Sequence, residues 1–199
     1  MNNGLSATGV WLRAIESLDD APLTIVLNDR GKKASGVEVS DRGNRGEQVL
    51  ALDLMFTGDD WKQITQGPFY GPIGPYLYAQ ILHGLGDRPL GMEAAQLIAI
   101  AHWFQKQGRP QRPRLEISGM RNQVSALVAS ALEPDLFSIL VVHEGIPSLG
   151  YVLEAPVTFQ EAPELFCLDL YKQFDLDRLT ALAAPAKVTV EKFVESPKK

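Results

Sequence analysis

Five short apolar runs, set too far apart for hairpins, constrain the fold of this chain more than any other feature. They are LTIVL at 23–27, QVLALDL at 48–54, RLEIS at 114–118, SILVVHE at 138–144 and KVTV at 187–190. Most are near-continuous rather than alternating, which fits strands covered on both faces of a parallel sheet. Every gap exceeds the roughly dozen residues that a parallel crossover requires. Helical segments fill several of these gaps. RPLGMEAAQLIAIAHWFQKQG has a proline near its start and Gly108 as a stop. MRNQVSALVASALEP carries Val124, Leu127, Val128, Ala131 and Leu132 at helical spacing, with Pro134 behind them. DLDRLTALAAP offers Asp175 as N-cap and Pro185 as stop. The alternation predicts an α/β fold, a mostly parallel sheet of about five strands flanked by helices.

Composition agrees with one globular domain over residues 1–199, with its core at about 21–190 and peripheral segments at 1–20 and 191–199. Hydrophobic residues make up 45% and charged residues 22% of the 199, a balance that buries a core. The net charge of −5, with no long basic run, argues against a nucleic-acid partner. Cys167 is the only cysteine, so the chain forms no internal disulfide and no cysteine metal cluster. The first twenty residues lack a basic segment followed by an apolar one, so no signal peptide is expected in this chain. No apolar run approaches the roughly 20 residues that span a bilayer, so no membrane partner is expected. The compartment stays open, export included if the chain belongs to a longer protein. His83, His102 and His143 show no metal-ligand spacing. GKKASG at 31–36 departs from the phosphate-loop pattern. Neither a metal nor a cofactor is expected.

The stretch TGDDWKQITQGPFYGPIGPYLYAQILHGLG, at 57–86, is rich in glycine and proline and reads as an irregular loop, with Tyr76 opening a short helix. Loops after the C-terminal ends of parallel strands line the binding crevice of such sheets. Tyr70 and Tyr76 are therefore candidates for stacking on a sugar ring, although a plain connector explains the segment equally well.

APLTIVLNDRGK, RGEQVLALDLMFTGDD, DRPLGMEAAQLIAIAHWF and RLEISGMRNQVSALVASAL, in that order, resemble the centre of an α/β-hydrolase. The third resembles the helix before the nucleophile strand in acetyl xylan esterase-like and dienelactone hydrolase-like members. DLDRLTALAAPAKVTV is similar to the helix and strand that lead to the family's catalytic acid. The resemblance covers about residues 21–190. It implies an α/β-hydrolase-like core, truncated of its early antiparallel strands and last strand, and ester hydrolysis without a cofactor.

That family mounts its nucleophile in a G-x-S-x-G turn between strand and helix. Laid onto this chain, the motif gives Gly119 for the first glycine, Arg121 for the serine and Gln123 for the last glycine. A guanidinium stays protonated and cannot attack a carbonyl. Ser118 is a displaced alternative, though a strand-end serine more often bonds backbone. The family's histidine follows the last strand, whereas this chain has none after His143. Glu191 lies near the place of the catalytic acid, and Asp53 resembles a loop-fixing aspartate.

Three readings follow. The first is a degenerate, non-catalytic domain of a carbohydrate-esterase-like protein, serving as a structural or interaction module beside a second hydrolase domain or another copy of itself. The second keeps a ligand: a small anion or acidic sugar held by Arg121, Asn122 and the helix N-terminal amides, with Tyr70 and Tyr76 alongside. A plainer role for Arg121 is an internal salt bridge with Glu93 or Glu116. The third is an active ester hydrolase using Ser118, His143 and Glu191.

Overall fold

A computed structural model describes residues 6–58, 75–107 and 111–194. Six strands form one sheet: β1 (Thr8–Leu12), β2 (Leu23–Asn28), β3 (Gln48–Asp53), β4 (Arg114–Ser118), β5 (Ile139–His143) and β6 (Lys187–Val190), in the spatial order β1-β3-β2-β4-β5-β6. The pairs β2–β3, β2–β4, β4–β5 and β5–β6 are parallel, whereas β1 runs antiparallel to β3. The five runs read from sequence are thus strands. All six residues of β2 and of β3 are buried, which is why neither alternates. The sixth strand corrects the expectation that residues 1–20 are peripheral and that the early antiparallel part is missing. Four of the five residues in β1 are exposed. A strand with one neighbour and little burial leaves no pattern to read.

Helices α1 (Gly36–Asn44), α2 (Pro75–Gly84), α3 (Pro89–Lys106), α4 (Met120–Leu132) and α5 (Leu176–Leu182) connect the strands, with single turns at Tyr151–Glu154 and Leu168–Tyr171. The main core lies on one face of the sheet. There Ile25, Leu27, Leu115, Ile117, Leu140 and Val142 pack with Leu97 and Phe104 of α3 and Val124 and Leu127 of α4. Residues of opposite parity in β4, Glu116 and Ser118, turn to the other face and meet Arg42 and Glu38 of α1. Helix α1 buries no residue fully, although Val26, Val49, Ala51 and Val141 on this side of the sheet are themselves buried.

Candidate active-site elbow and the cavity beneath helix α1

Strand β4 ends at Ser118, α4 begins at Met120, and Gly119 between them has φ 107°. A side chain is disfavoured at that φ. Space excludes one as well, since a Cβ on Gly119 would lie 2.3 Å from Asp29 Cγ. The apex of the strand-to-helix turn is therefore Gly119, two residues before the position the motif assigns. Arg121 is instead the second residue of α4.

Asp29, just past the C-terminal end of β2, fills the turn. Its Oδ2 accepts from Arg121 N at 2.9 Å, and its Oδ1 accepts from Asn122 N and Asn122 Nδ2, both at 2.9 Å. These are the free amides and positive dipole end of α4. Burial pushes the Asp29 carboxyl up to about 6, against the amide bonds and Arg121, which pull it down.

The Arg121 guanidinium points into the protein, with its side chain 14% exposed. Its Nε donates to Glu164 in the turn Pro163–Phe166, and an Nη donates to the carbonyl of Phe56 at 2.7 Å. The salt bridge expected for this residue exists, with Glu164 as direct partner. Glu116 lies across the sheet. Glu93 of α3 is fully buried beside the pair, accepting from Ser125 Oγ at 2.6 Å and Phe56 N at 3.3 Å. Burial, and then Glu164, push the Glu93 carboxyl up to about 8. Burial works against the charge on Arg121, but Glu164, Glu93 and Asp29 outweigh it and hold the pKa above its ordinary value. Gln123, where the motif has glycine, clasps a neighbouring loop: Ile146 N donates to its Oε1 at 2.7 Å, and its Nε2 donates to Ile146 O at 3.1 Å.

Ser118, His143 and Glu191 come together elsewhere. They line one cavity of about 550 Å³ on the α1 side of the sheet. Ser118 and His143 are register partners on β4 and β5, and each is bonded to a carboxylate. The Ser118 hydroxyl donates to Glu38 Oε1 at 2.7 Å. His143 Nε2 lies 2.8 Å from Glu116 Oε2, and Nδ1 lies 3.1 Å from Glu191 Oε2. Glu116 Oε1 also accepts from Arg42 and, at 2.8 Å, from Arg114 Nε. Both imidazole nitrogens thus face carboxylates, and neither is offered to a hydroxyl.

The other candidates are quickly placed. Asp53 is buried and accepts from Lys32 N at 2.6 Å and from Lys32 Nζ, so it anchors the turn after β2. His102 pairs with Glu133 at 2.7 Å on the surface. Tyr70 lies outside the described residues, and Tyr76 belongs to the first turn of α2 with its side chain outside them. Among the described residues no three His, Cys, Asp or Glu side chains form a metal-binding group, and no helix is long and apolar enough to cross a membrane. The sequence reading missed the parts played by Asp29, Glu38 and Glu164. Asp29 carried a usable signal, since a charged residue directly after a buried run faces the end of the sheet. Glu164, 43 residues beyond Arg121, carried none.

No protein-family model and no curated protein matches the chain. Solved structures do resemble it. A candidate acetyl xylan esterase from Bacteroides fragilis superposes with TM-score 0.66 at 16% identity, covering 92% of this chain and 54% of that one. Est1E from Butyrivibrio proteoclasticus gives 0.59 at 12% identity, over 96% of this chain and 77% of its own. A cold-adapted esterase from an Arctic intertidal metagenomic library gives 0.54 at 13%, over 94% and 68%. The chain thus spans about half the length of the Bacteroides protein. At these identities the likeness speaks for the fold, and the sheet described above agrees with it: this chain has the α/β-hydrolase fold.

Proposed function

We propose that this domain is a non-catalytic member of its fold class, acting as a structural or interaction module of an esterase-like protein. One observation carries the reading. The elbow presents a glycine at its apex, and Asp29 occupies the space and the helix amides that a nucleophile and its oxyanion would need. The remaining serine and histidine of the sequence set are tied to carboxylates on the other face of the sheet. An anion at the elbow would have to compete with Asp29 for the Arg121 and Asn122 amides and with Glu164 for the Arg121 side chain. The interaction role rests on the edge of β1, which has no second strand beside it among the described residues, where Val10, Trp11 and Leu12 are each more than 40% exposed and the strand itself carries no charge or proline. Its occupant would be a second hydrolase domain or another copy of this chain.

The test is hydrolysis of p-nitrophenyl acetate and acetylated xylan by the purified chain and by Ser118→Ala. Both are expected to match the rate without protein. A rate above background that the substitution removes would restore a Ser118 enzyme and end this proposal.

A further inference from the structure

Strand β1 leaves apolar side chains uncovered on both faces of the sheet. Its register with β3 sets Trp11 opposite Leu50 and Gly9 opposite Leu52, on the side of the main core. There the Trp11 ring meets Trp103 and Phe104 of α3 edge-on, at centroid distances of 6.0 and 5.0 Å. Trp11 and Trp103 nonetheless stay 41% and 47% exposed. Val10 and Leu12 pair with Ala51 and Val49 and lie on the α1 side, 46% and 44% exposed. Ile15 and Leu18, on the connection that follows, are 99% and 72% exposed. Exposure on both sides of one edge is what an added strand covers. The opposite edge differs, since β6 opens on the exposed Lys187, a charge of the kind that protects an edge.

We propose that β1 pairs with β1 of a second copy of this chain, joining the two sheets across a two-fold axis. The inference rests on the reading of this domain as an interaction module and names its partner. A two-fold between edge strands makes them antiparallel, the same patch meeting itself. With the axis at Val10, the central residue of Thr8–Leu12, all five residues pair. Val10 then faces its own counterpart, Gly9 faces Trp11 of the second copy, and Thr8 faces Leu12. The residue with no side chain stands opposite the largest, so the two indoles do not collide. No like charges meet, because β1 carries none and Arg13, bound to Asp19 of its own copy, falls opposite Ala7. The six exposed side chains present on the order of 600–700 Å² per copy, so the pair would bury roughly 1,200–1,400 Å², within the range of about 1,200–2,000 Å² for stable interfaces.

Light scattering on the whole chain from about 1 to about 200 µM tests it. The mass is expected to rise with concentration from one chain to two and to stop there. Val10→Lys sets two ammonium groups face to face on the axis and should weaken association about tenfold or more, with an unchanged circular-dichroism spectrum. Val10→Asp should do the same, and an equal mixture of the two variants should restore a two-chain species. If these variants fail to fold, hydrogen exchange of the unmodified chain decides: β1 amides should be protected when concentrated and exchange as an edge when dilute. A single-chain mass throughout, association that survives Val10→Lys, a mixture that stays single, or β1 exchange indifferent to concentration would overturn the proposal. Each of these outcomes leaves the non-catalytic reading standing, because hydrolysis tests that separately.

Discussion

At the scale of single residues, the contact between Gly119 and Asp29 decides what this elbow can hold. Gly119→Ser would place a side chain at φ 107° and 2.3 Å from the Asp29 carboxyl carbon. We expect a loss of roughly 2–4 kcal/mol in urea unfolding. Asp29→Ala in the same chain should return part of that loss, a coupling that a double-mutant cycle resolves. Neither chain should hydrolyse esters, since no imidazole reaches the turn. Arg121→Met would leave Glu164 buried without its counter-charge. We expect a loss of about 3–5 kcal/mol, larger than for any surface arginine, by the same measurement.

The carboxyls around Arg121 also set a pH dependence. Glu93 titrates at about 8 in the folded chain against 4.5 ordinarily, so the folded state holds the extra proton across that window. Stability should then fall as pH rises from 4.5 to about 8, by up to about 1.4 kcal/mol per pH unit for one such proton. Asp29 adds the same sense between 3.8 and about 6. Denaturation midpoints across pH check this, and Glu93→Gln should flatten the slope above pH 6. A flat wild-type profile would show that Glu93 is ionised inside the fold.

At the scale of elements, Asp175 joins two pieces of chain. It caps α5 through Leu176 N at 2.7 Å, and it accepts from Ser148 Oγ at 2.6 Å and Leu149 N at 2.7 Å. Burial opposes its charge, but these three bonds hold its pKa below 3.8. A depressed carboxyl stabilises above its unfolded pKa and stops doing so as pH falls through the folded value. Asp175→Ala should cost roughly 1–2 kcal/mol at neutral pH and less in acid, a difference that midpoints at both pH values would show. The capping residue was legible in sequence because the signal is local: an aspartate directly ahead of a leucine-rich turn. Strands β2 and β3 were the most legible because burial on both faces leaves a near-continuous apolar run. Helix α1 was not, because it buries no residue fully and meets the sheet through Arg42 and Glu38. Charged residues on a helix look the same in sequence whether they face water or another charge. The turn apex was misplaced by two residues for a related reason. The sequence shows a glycine between strand and helix, but only the approach of Asp29 shows which residue must be that glycine.

At the scale of the molecule, protection should follow position in the sheet. Amides of β2 and β4 sit between neighbours on both sides, whereas β1 and β6 are edges. Hydrogen exchange is expected to be slowest in β2 and β4 and to reach the rate of local opening in β1. Equal protection of β1 would mean that its edge is covered in solution. The overall backbone fold is what this chain shares with the solved esterase structures compared, at 16% identity or less for the three. A shared scaffold does not by itself fix a shared chemistry. At the elbow the group that matters is Asp29. A carboxylate carried by the chain itself meets the positive end of α4 at an effective concentration of about millimolar or more. Acetate, or any acid released from an ester, would have to outcompete that tethered group. In effect the positive end of α4 is already answered by a charge that cannot diffuse away.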